Sequence, residues 1–168
     1  MRLPLAAVGA VVAALIETSV LSDLKVAGAK PDLVFVLAVV SALVFGVEAG
    51  LLWAFLGGLM LDMLLPERPV GSTILALLLC VGVALLPARV LHEARILVSV
   101  ISAFLLTWVY HLVGAALLAA TTGSQVPPSA IPAILPVAVL NSVLAVFVAV
   151  IARSLALRYR PHDRLEYR

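Results

Sequence analysis

Charge is what this chain has least of. Asp, Glu, Lys and Arg make up 12% of its 168 residues, and 64% are hydrophobic, with a mean hydropathy of +1.23. A water-soluble domain carries about 25% charged residues. The few charges fall in short clusters, and the longest polar stretch is the tail from Arg153 to Arg168. A separate soluble catalytic or binding domain is therefore excluded, and nucleic acid is not an expected partner. Cysteine is nearly absent too. The one present, Cys80, sits inside Leu77-Leu78-Leu79-Cys80-Val81, so no internal disulfide exists and the thiol reads as a small buried apolar group. There is no His-Glu-x-x-His zinc motif, no phosphate-cradling glycine loop ending in Lys-Ser or Lys-Thr, and no Gly-x-Ser-x-Gly elbow. The three histidines, His92, His111 and His162, are too scattered for a metal-ligand pattern. No catalytic residue, cofactor site or metal site is expected.

What the chain does have is apolar runs long enough to cross a bilayer. A span needs about 20 apolar residues for a hydrocarbon core of roughly 30 Å. Backbone groups at that depth must pair internally, so such runs are helices. The first run is Leu3 to Leu21, carrying Glu17. It loosely resembles a signal peptide, with Ala27-Gly28-Ala29 as small residues beyond it, but Asp23 and Lys25 intervene and it reads as a retained span. The next run, Leu33 to Leu65, would make one helix of about 50 Å at 1.5 Å per residue. That length needs a tilt above roughly 50°, outside the usual range. Phe45-Gly46-Val47-Glu48-Ala49-Gly50 offers a break, giving two short spans, Leu33–Phe45 and Ala49–Leu65. Pro66-Glu67-Arg68-Pro69 is a turn. The remaining spans are Val70–Leu86, Ile96–Ala120 and Ile131–Leu157, the last regular only after Pro136. No charged residue lies centrally in spans four or six. The expectation is an all-α, polytopic membrane protein of six transmembrane helices: one domain over residues 1–157, then a basic cytoplasmic tail over 158–168.

Lys and Arg orient the spans, since they concentrate on the cytoplasmic side. With six spans and both termini cytoplasmic, eight of them lie inside and Lys25, Lys30 and Arg68 outside. A five-span arrangement scores nine against two, so helix length rather than charge selects six.

Several constellations stand out. Gly46, Gly50, Ala54, Gly58 and Asp62 recur every four residues along the third span. On a helix this is a nearly axial stripe with almost no side chain, where another backbone can approach closely. The approaching helix belongs either to this chain or to a partner. Asp62 closes the stripe at a helix end, where a carboxylate opposes the helix dipole. With six spans, Glu17, Asp62 and His111 lie toward the outer ends of odd-numbered helices, and two readings stand: a shared polar cluster, or three groups reaching interfacial water separately. Trp108 and Tyr110 beside His111 suggest an interfacial aromatic belt. Asn141 and Ser142, near Ala138, Ala145 and Ala149, suggest a helix contact face with one interhelical hydrogen bond. The tail arginines fix topology and sit close to anionic lipid.

The stretch Pro31-Asp32-Leu33-Val34-Phe35, then Gly50, then Gly57-Gly58-Leu59-Met60-Leu61-Asp62-Met63-Leu64, then Pro66 and Val70-Gly71, resembles the rod-shape-determining MreD family. That family has a Pro-Asp-Leu opening to its second helix, a glycine-rich helix ending in Gly-Leu-x-x-Asp, a proline turn, and a glycine opening the next helix. The resemblance runs from Pro31 to about Leu78, and length and hydropathy agree beyond it. It implies a multi-pass protein of the bacterial inner membrane, without enzymatic activity. It implies work beside the bitopic protein MreC, and indirectly RodA with its class B penicillin-binding protein and the MreB cytoskeleton. By this resemblance Pro31, Asp32, Gly58, Asp62 and Gly71 are architectural positions. The family's fold is similar to the S component of energy-coupling-factor transporters, so the alternative reading is a small solute-binding or transport subunit. That alternative implies an outer pocket lined by Glu17, Asp62, Trp108 and His111. The leading reading is a membrane scaffold of the cell-elongation, peptidoglycan-synthesis machinery that holds a partner's transmembrane helix on the small-residue stripe.

Overall fold

A computed structural model describes residues 3–21, 29–65, 69–88, 95–123 and 130–158. Six helices follow one another: α1 (Leu3–Ser19), α2 (Leu33–Phe45), α3 (Val47–Leu64), α4 (Ser72–Ala88), α5 (Arg95–Thr122) and α6 (Ala130–Arg158). Among the described residues there is no strand. Three helices hold stretches long and apolar enough to cross a membrane: Val47–Leu64, Ile96–Thr122 and Ile131–Ala156. The other three are shorter apolar helices. Among the described residues six helices thus stand where six spans are expected, and three of them reach spanning length by themselves. The basic tail beyond Arg158 lies outside the described residues.

The break in the long apolar run is a single residue. Gly46 ends α2 and starts α3 with φ 104°, a backbone region that L side chains rarely adopt. Its N–H donates to the Ala42 carbonyl and its own carbonyl accepts from Gly50, so both helix ends stay hydrogen-bonded through the turn. Helix α6 differs from expectation in its other half. It runs unbroken from Ala130 through Pro136. A proline inside a helix forfeits one backbone bond and crowds the preceding turn, a cost that membrane helices tolerate when neighbours re-satisfy the freed groups.

Helix α2 is the hub. It touches each of the other five helices. Nine of its thirteen residues are buried, among them Val34, Phe35, Val36, Val39 and Val40. A helix that is apolar all round belongs inside a larger assembly of helices. Around it stand α1, α3, α4, α5 and α6 in that order, each packed on the next, while α6 and α1 at the two ends of the arc make no contact among the described residues. The half-buried residues of α2 are Leu33, Leu37 and Val44. At i, i+4 and i+11 they form one stripe along α2.

Candidate functional site

Helix α2 is short, and its first turn ends deep among its neighbours. The first amides of any helix lack intrahelical partners, and in apolar surroundings each must find one. Asp32 occupies the N-cap position, where a carboxylate normally accepts from the second or third amide. Here it makes no such bond. The cap comes from another helix: Glu17 Oε2 of α1 accepts from the Val34 N–H at 2.7 Å.

The Asp32 carboxylate is thereby left for longer-range work. Asn141 of α6 clamps the residue: its Oδ1 accepts from the Asp32 N–H at 2.8 Å, and its Nδ2 donates to Asp32 Oδ2 at 3.1 Å. The same Nδ2 donates to Thr107 Oγ1 of α5 at 3.1 Å, and that hydroxyl donates to the Ala103 carbonyl at 2.6 Å. His111, one turn further along α5, brings Nε2 within 3.1 Å of Asp32 Oδ2. With the carboxylate as acceptor, Nε2 carries the hydrogen. Glu17, Asp32, Thr107 and Asn141 are all buried, and His111 is half-buried. One polar network thus ties α1, α2, α5 and α6 together at the head of the hub helix. Such a network stabilises a unique arrangement when every member is satisfied.

Asp62 performs the same service one hairpin later. Its Oδ2 accepts from the Gly71 N–H at 2.8 Å and its Oδ1 from the Thr73 N–H at 3.1 Å, at the start of α4. Asp62 stands two residues before the end of α3, as Glu17 stands two before the end of α1. Thr73 is the second residue of α4, as Val34 is the second of α2. Both α1 and α3 therefore end by capping the even helix that follows them. The expected conflict between Asp62 and the dipole of its own helix is offset by the free amides and positive end of α4. Of the expected trio, Glu17 and His111 meet around the start of α2, whereas Asp62 is engaged at the start of α4.

The stripe on α3 faces inward. Gly50, Ala54, Gly58 and Asp62 are buried, and Gly46 is the turn residue. A Cβ on Gly50 would lie 2.7 Å from Ala42 Cα of α2, and one on Gly58 would lie 2.9 Å from Ile74 Cα of α4. Gly57, off the stripe, is pressed against the Val34 side chain. The chain's own α2 and α4 occupy this surface, so a partner's helix has no room on it. This corrects the expectation that the stripe holds a partner.

The aromatic-belt expectation is corrected at Tyr110. It is 4% exposed and stacks on Phe35 with ring centroids 5.2 Å apart, at the core rather than the periphery. Ala138, Ala145 and Ala149 are buried with Asn141, and Ser142 donates to the Ala138 carbonyl of its own helix at 2.7 Å. Pro31 is half-buried ahead of Asp32, and Gly71 takes φ 94° before α4. Sequence reasoning missed Thr107 and the pairing of Asn141 with Asp32. The signal was there: Thr107 and His111 are polar residues one turn apart on α5, and so share a face.

A cavity of about 140 Å³ lies between the start of α4 and the middle of α5. Ser72, Thr73, Tyr110, His111 and Gly114 line it, together with apolar neighbours. Of the residues expected around an outer pocket, it includes His111 and not Glu17, Asp62 or Trp108. Among the described residues no three of His, Cys, Asp and Glu group as metal ligands.

The family model for the rod shape-determining protein MreD matches residues 4–156, nearly the whole chain. No curated protein and no solved structure matches it.

Proposed function

The chain belongs to the rod shape-determining MreD family, and we propose that it acts there as a non-enzymatic scaffold of the inner-membrane elongation machinery, holding the transmembrane helix of an MreC-like bitopic partner. RodA with its class B penicillin-binding protein and MreB are reached through that partner. Both termini face the cytoplasm in this reading, on the strength of the arginines near the inner ends of the spans. The start of α2 and its polar network then lie toward the outer side.

One observation carries the proposal. Equal cylinders pack six around one, and α2 has five helices around it. In this reading the sixth place lies between α1 and α6, which make no contact among the described residues, and the half-buried stripe of Leu33, Leu37 and Val44 is its floor. A single transmembrane helix is the element that fills such a place, since helices in lipid associate through close packing rather than hydrophobic drive. A scaffold that closes its own ring only with a partner's helix couples its folded state to assembly.

The test is photocrosslinking in membranes. A photoreactive residue placed at Leu33, Leu37 or Val44 should capture the partner's transmembrane segment, whereas one at Leu105, 58% exposed on the outward side of α5, should capture lipid. Equal capture of the partner at Leu105, or none at the three α2 positions while the two proteins still co-purify, rejects this docking place.

A further inference from the structure

We propose that this protein thins the membrane on one side of itself. Along α1, α3 and α4 the leaflet nearest the start of α2 is drawn down, and it regains its height beside the α5–α6 pair. The ligand of the α1–α3–α4 face is thus a bilayer of reduced thickness. This goes beyond the scaffold reading and requires only that the chain spans a membrane, in either orientation.

The helices fall into two lengths. Helices α1, α3 and α4 have 17, 18 and 17 residues, about 26–27 Å at 1.5 Å per residue. Helices α5 and α6 have 28 and 29, about 42–44 Å. In α3 the exposed Glu48 stands second, which cuts the apolar length to about 24 Å. Against a hydrocarbon core of roughly 30 Å, the first group falls short by about 3–6 Å and the second exceeds it. The short helices present apolar side chains outward, Val12, Leu51, Phe55, Leu75 and Leu79 among them, so lipid rather than protein meets the shortfall.

The polar network fixes where the excess of α5 and α6 lies. Its hydrogen bonds hold the end of α1, the start of α2 and the middles of α5 and α6 at one level. Thr73, whose amide Asp62 caps, borders the same cavity as His111, which brings the end of α3 and the start of α4 to that level too. To one side of it the helices run similar distances: about 21–23 Å from Glu17, Asp62 and Thr73 to the far ends of α1, α3 and α4, and about 24–26 Å from His111 and Asn141 to the far ends of α5 and α6. To the other side α5 and α6 continue for about 17 Å, against a turn or less in α1 and α3. That extension is apolar and exposed, with Leu112, Leu118, Ile131 and Leu135 turned outward. Lys30, exposed two residues before Asp32, sets an ammonium near the level of the network, where headgroups rather than acyl chains receive it.

Tilt does not reconcile the two lengths. The network and the packing of α4 on α5 make the helices move as one body. A tilt of about 40°, the upper end of the usual range, shortens ~42 Å to ~32 Å but also ~26 Å to ~20 Å. Relief of one mismatch deepens the other. The bilayer therefore adjusts, as it does around short spans at modest cost. Because the far ends are nearly level, the adjustment falls on the single leaflet that the α5–α6 extension crosses.

The experiment uses the full chain in bilayers of dioleoyl phosphatidylcholine, with spin-label depth read by power-saturation EPR. Single labels replace Phe55, Leu105, Leu51 or Ile101, all exposed, in a Cys80→Ala background. Phe55 on α3 and Leu105 on α5 both stand about 10 Å below the network, and Leu51 and Ile101 about 16 Å below it. We expect Phe55 to lie about 3–6 Å shallower than Leu105 from the face where α2 starts, the shortfall of the short helices. Leu51 and Ile101 should be equally deep from the opposite face. In dimyristoleoyl phosphatidylcholine, whose core is thinner, the first offset should close. The unsubstituted chain gives a second reading. Extracted by polymer into nanodiscs from mixed dimyristoleoyl and dierucoyl phosphatidylcholine, it should carry the shorter lipid enriched by about twofold or more. Equal depths at Phe55 and Leu105, opposite offsets at the two pairs (as a tilted body in a flat bilayer would give), or no enrichment of the shorter lipid overturns the proposal.

Discussion

Replacing Asn141 by aspartate changes one amide nitrogen to oxygen and should damage this protein more than cutting the side chain back to alanine. Asn141 makes three hydrogen bonds: one accepted from the Asp32 N–H and two donated, to Asp32 Oδ2 and Thr107 Oγ1. At about 0.5–1.5 kcal/mol each, and about 0.6 kcal/mol on average for interhelical bonds in membranes, Asn141→Ala should cost about 2–4 kcal/mol. That is a fall in Tm of roughly 6–12 °C for ~3 kcal/mol in a chain of this size. Asn141→Asp keeps the acceptor for the Asp32 N–H but sets a second carboxylate oxygen where the donor stood, 3.1 Å from Asp32 Oδ2. Two unit charges at that distance repel by about 5 kcal/mol at an effective dielectric of 20. The loss should therefore exceed that of Asn141→Ala. Adding Asp32→Asn to Asn141→Asp returns a donor to the pair and should recover part of the stability. The assay is thermal unfolding of detergent-solubilised protein followed by tryptophan fluorescence, with Trp53 as the buried reporter. An Asn141→Asp protein as stable as Asn141→Ala, or a double variant no better than Asn141→Asp alone, would refute the clamp between α2 and α6.

Three further outcomes follow from the packing. Glu17→Ala and Asp62→Ala each strip an interhelical cap from the second amide of the next helix and should lower stability by about 1–2 kcal/mol, read in the same unfolding assay; Glu17→Gln keeps the acceptor and should lose less. Gly50→Leu and Gly58→Leu should lose fold and partner together, because α2 and α4 lie against those glycines; a variant that melts like the parent yet fails to co-purify with the partner would return the stripe to a docking role. Trp53→Phe removes a buried indole N–H that has no partner and should leave Tm unchanged or raise it, since an unsatisfied buried donor costs about 1–3 kcal/mol.

Helix positions were legible in the sequence because lipid imposes a coarse rule. Where apolar runs are bounded by charge or proline, α2 matches expectation residue for residue and α1, α3, α4 and α5 agree to within two residues at either end, whereas α6 is regular from Ala130 rather than only after Pro136. The turn at Gly46 was legible as well, since helix length forbids one span over Leu33–Leu65 and the glycine marks the break. What the sequence withheld was direction around the helix. The four-residue stripe on α3 announces close packing but not against which helix, because an axial row of small residues looks the same to a neighbour in the same chain and to a partner. Asn141 and Asp32 are separated by 109 positions, and no local pattern pairs them. Glu17 and Asp62 read as isolated acids at helix ends because their partners are backbone amides, which carry no sequence signature. Spanning was expected of all six helices, whereas α1, α2 and α4 are shorter apolar helices; for α2 the reason is that hydropathy registers burial against protein as readily as burial in lipid.

That burial explains why carboxylates stand where they do. Helix α2 has 13 residues, about 20 Å at 1.5 Å per residue, against a hydrocarbon core of roughly 30 Å. If its Gly46 end lies at one membrane surface, its Asp32 end falls short of the other. A short hub helix must therefore end where water does not satisfy its amides, and each unsatisfied group there costs several kcal/mol. Two devices meet the cost: Glu17 reaches in from the last turn of α1, and Asn141 projects from the middle of α6, which continues past the point. Both α5 and α6, at 28 and 29 residues, run well beyond that level, so the polar network sits against long helices on one side and short ones on the other. The acids are thus the consequence of a helix too short to cross its membrane, and lengthening α2 by a turn would remove the need for them.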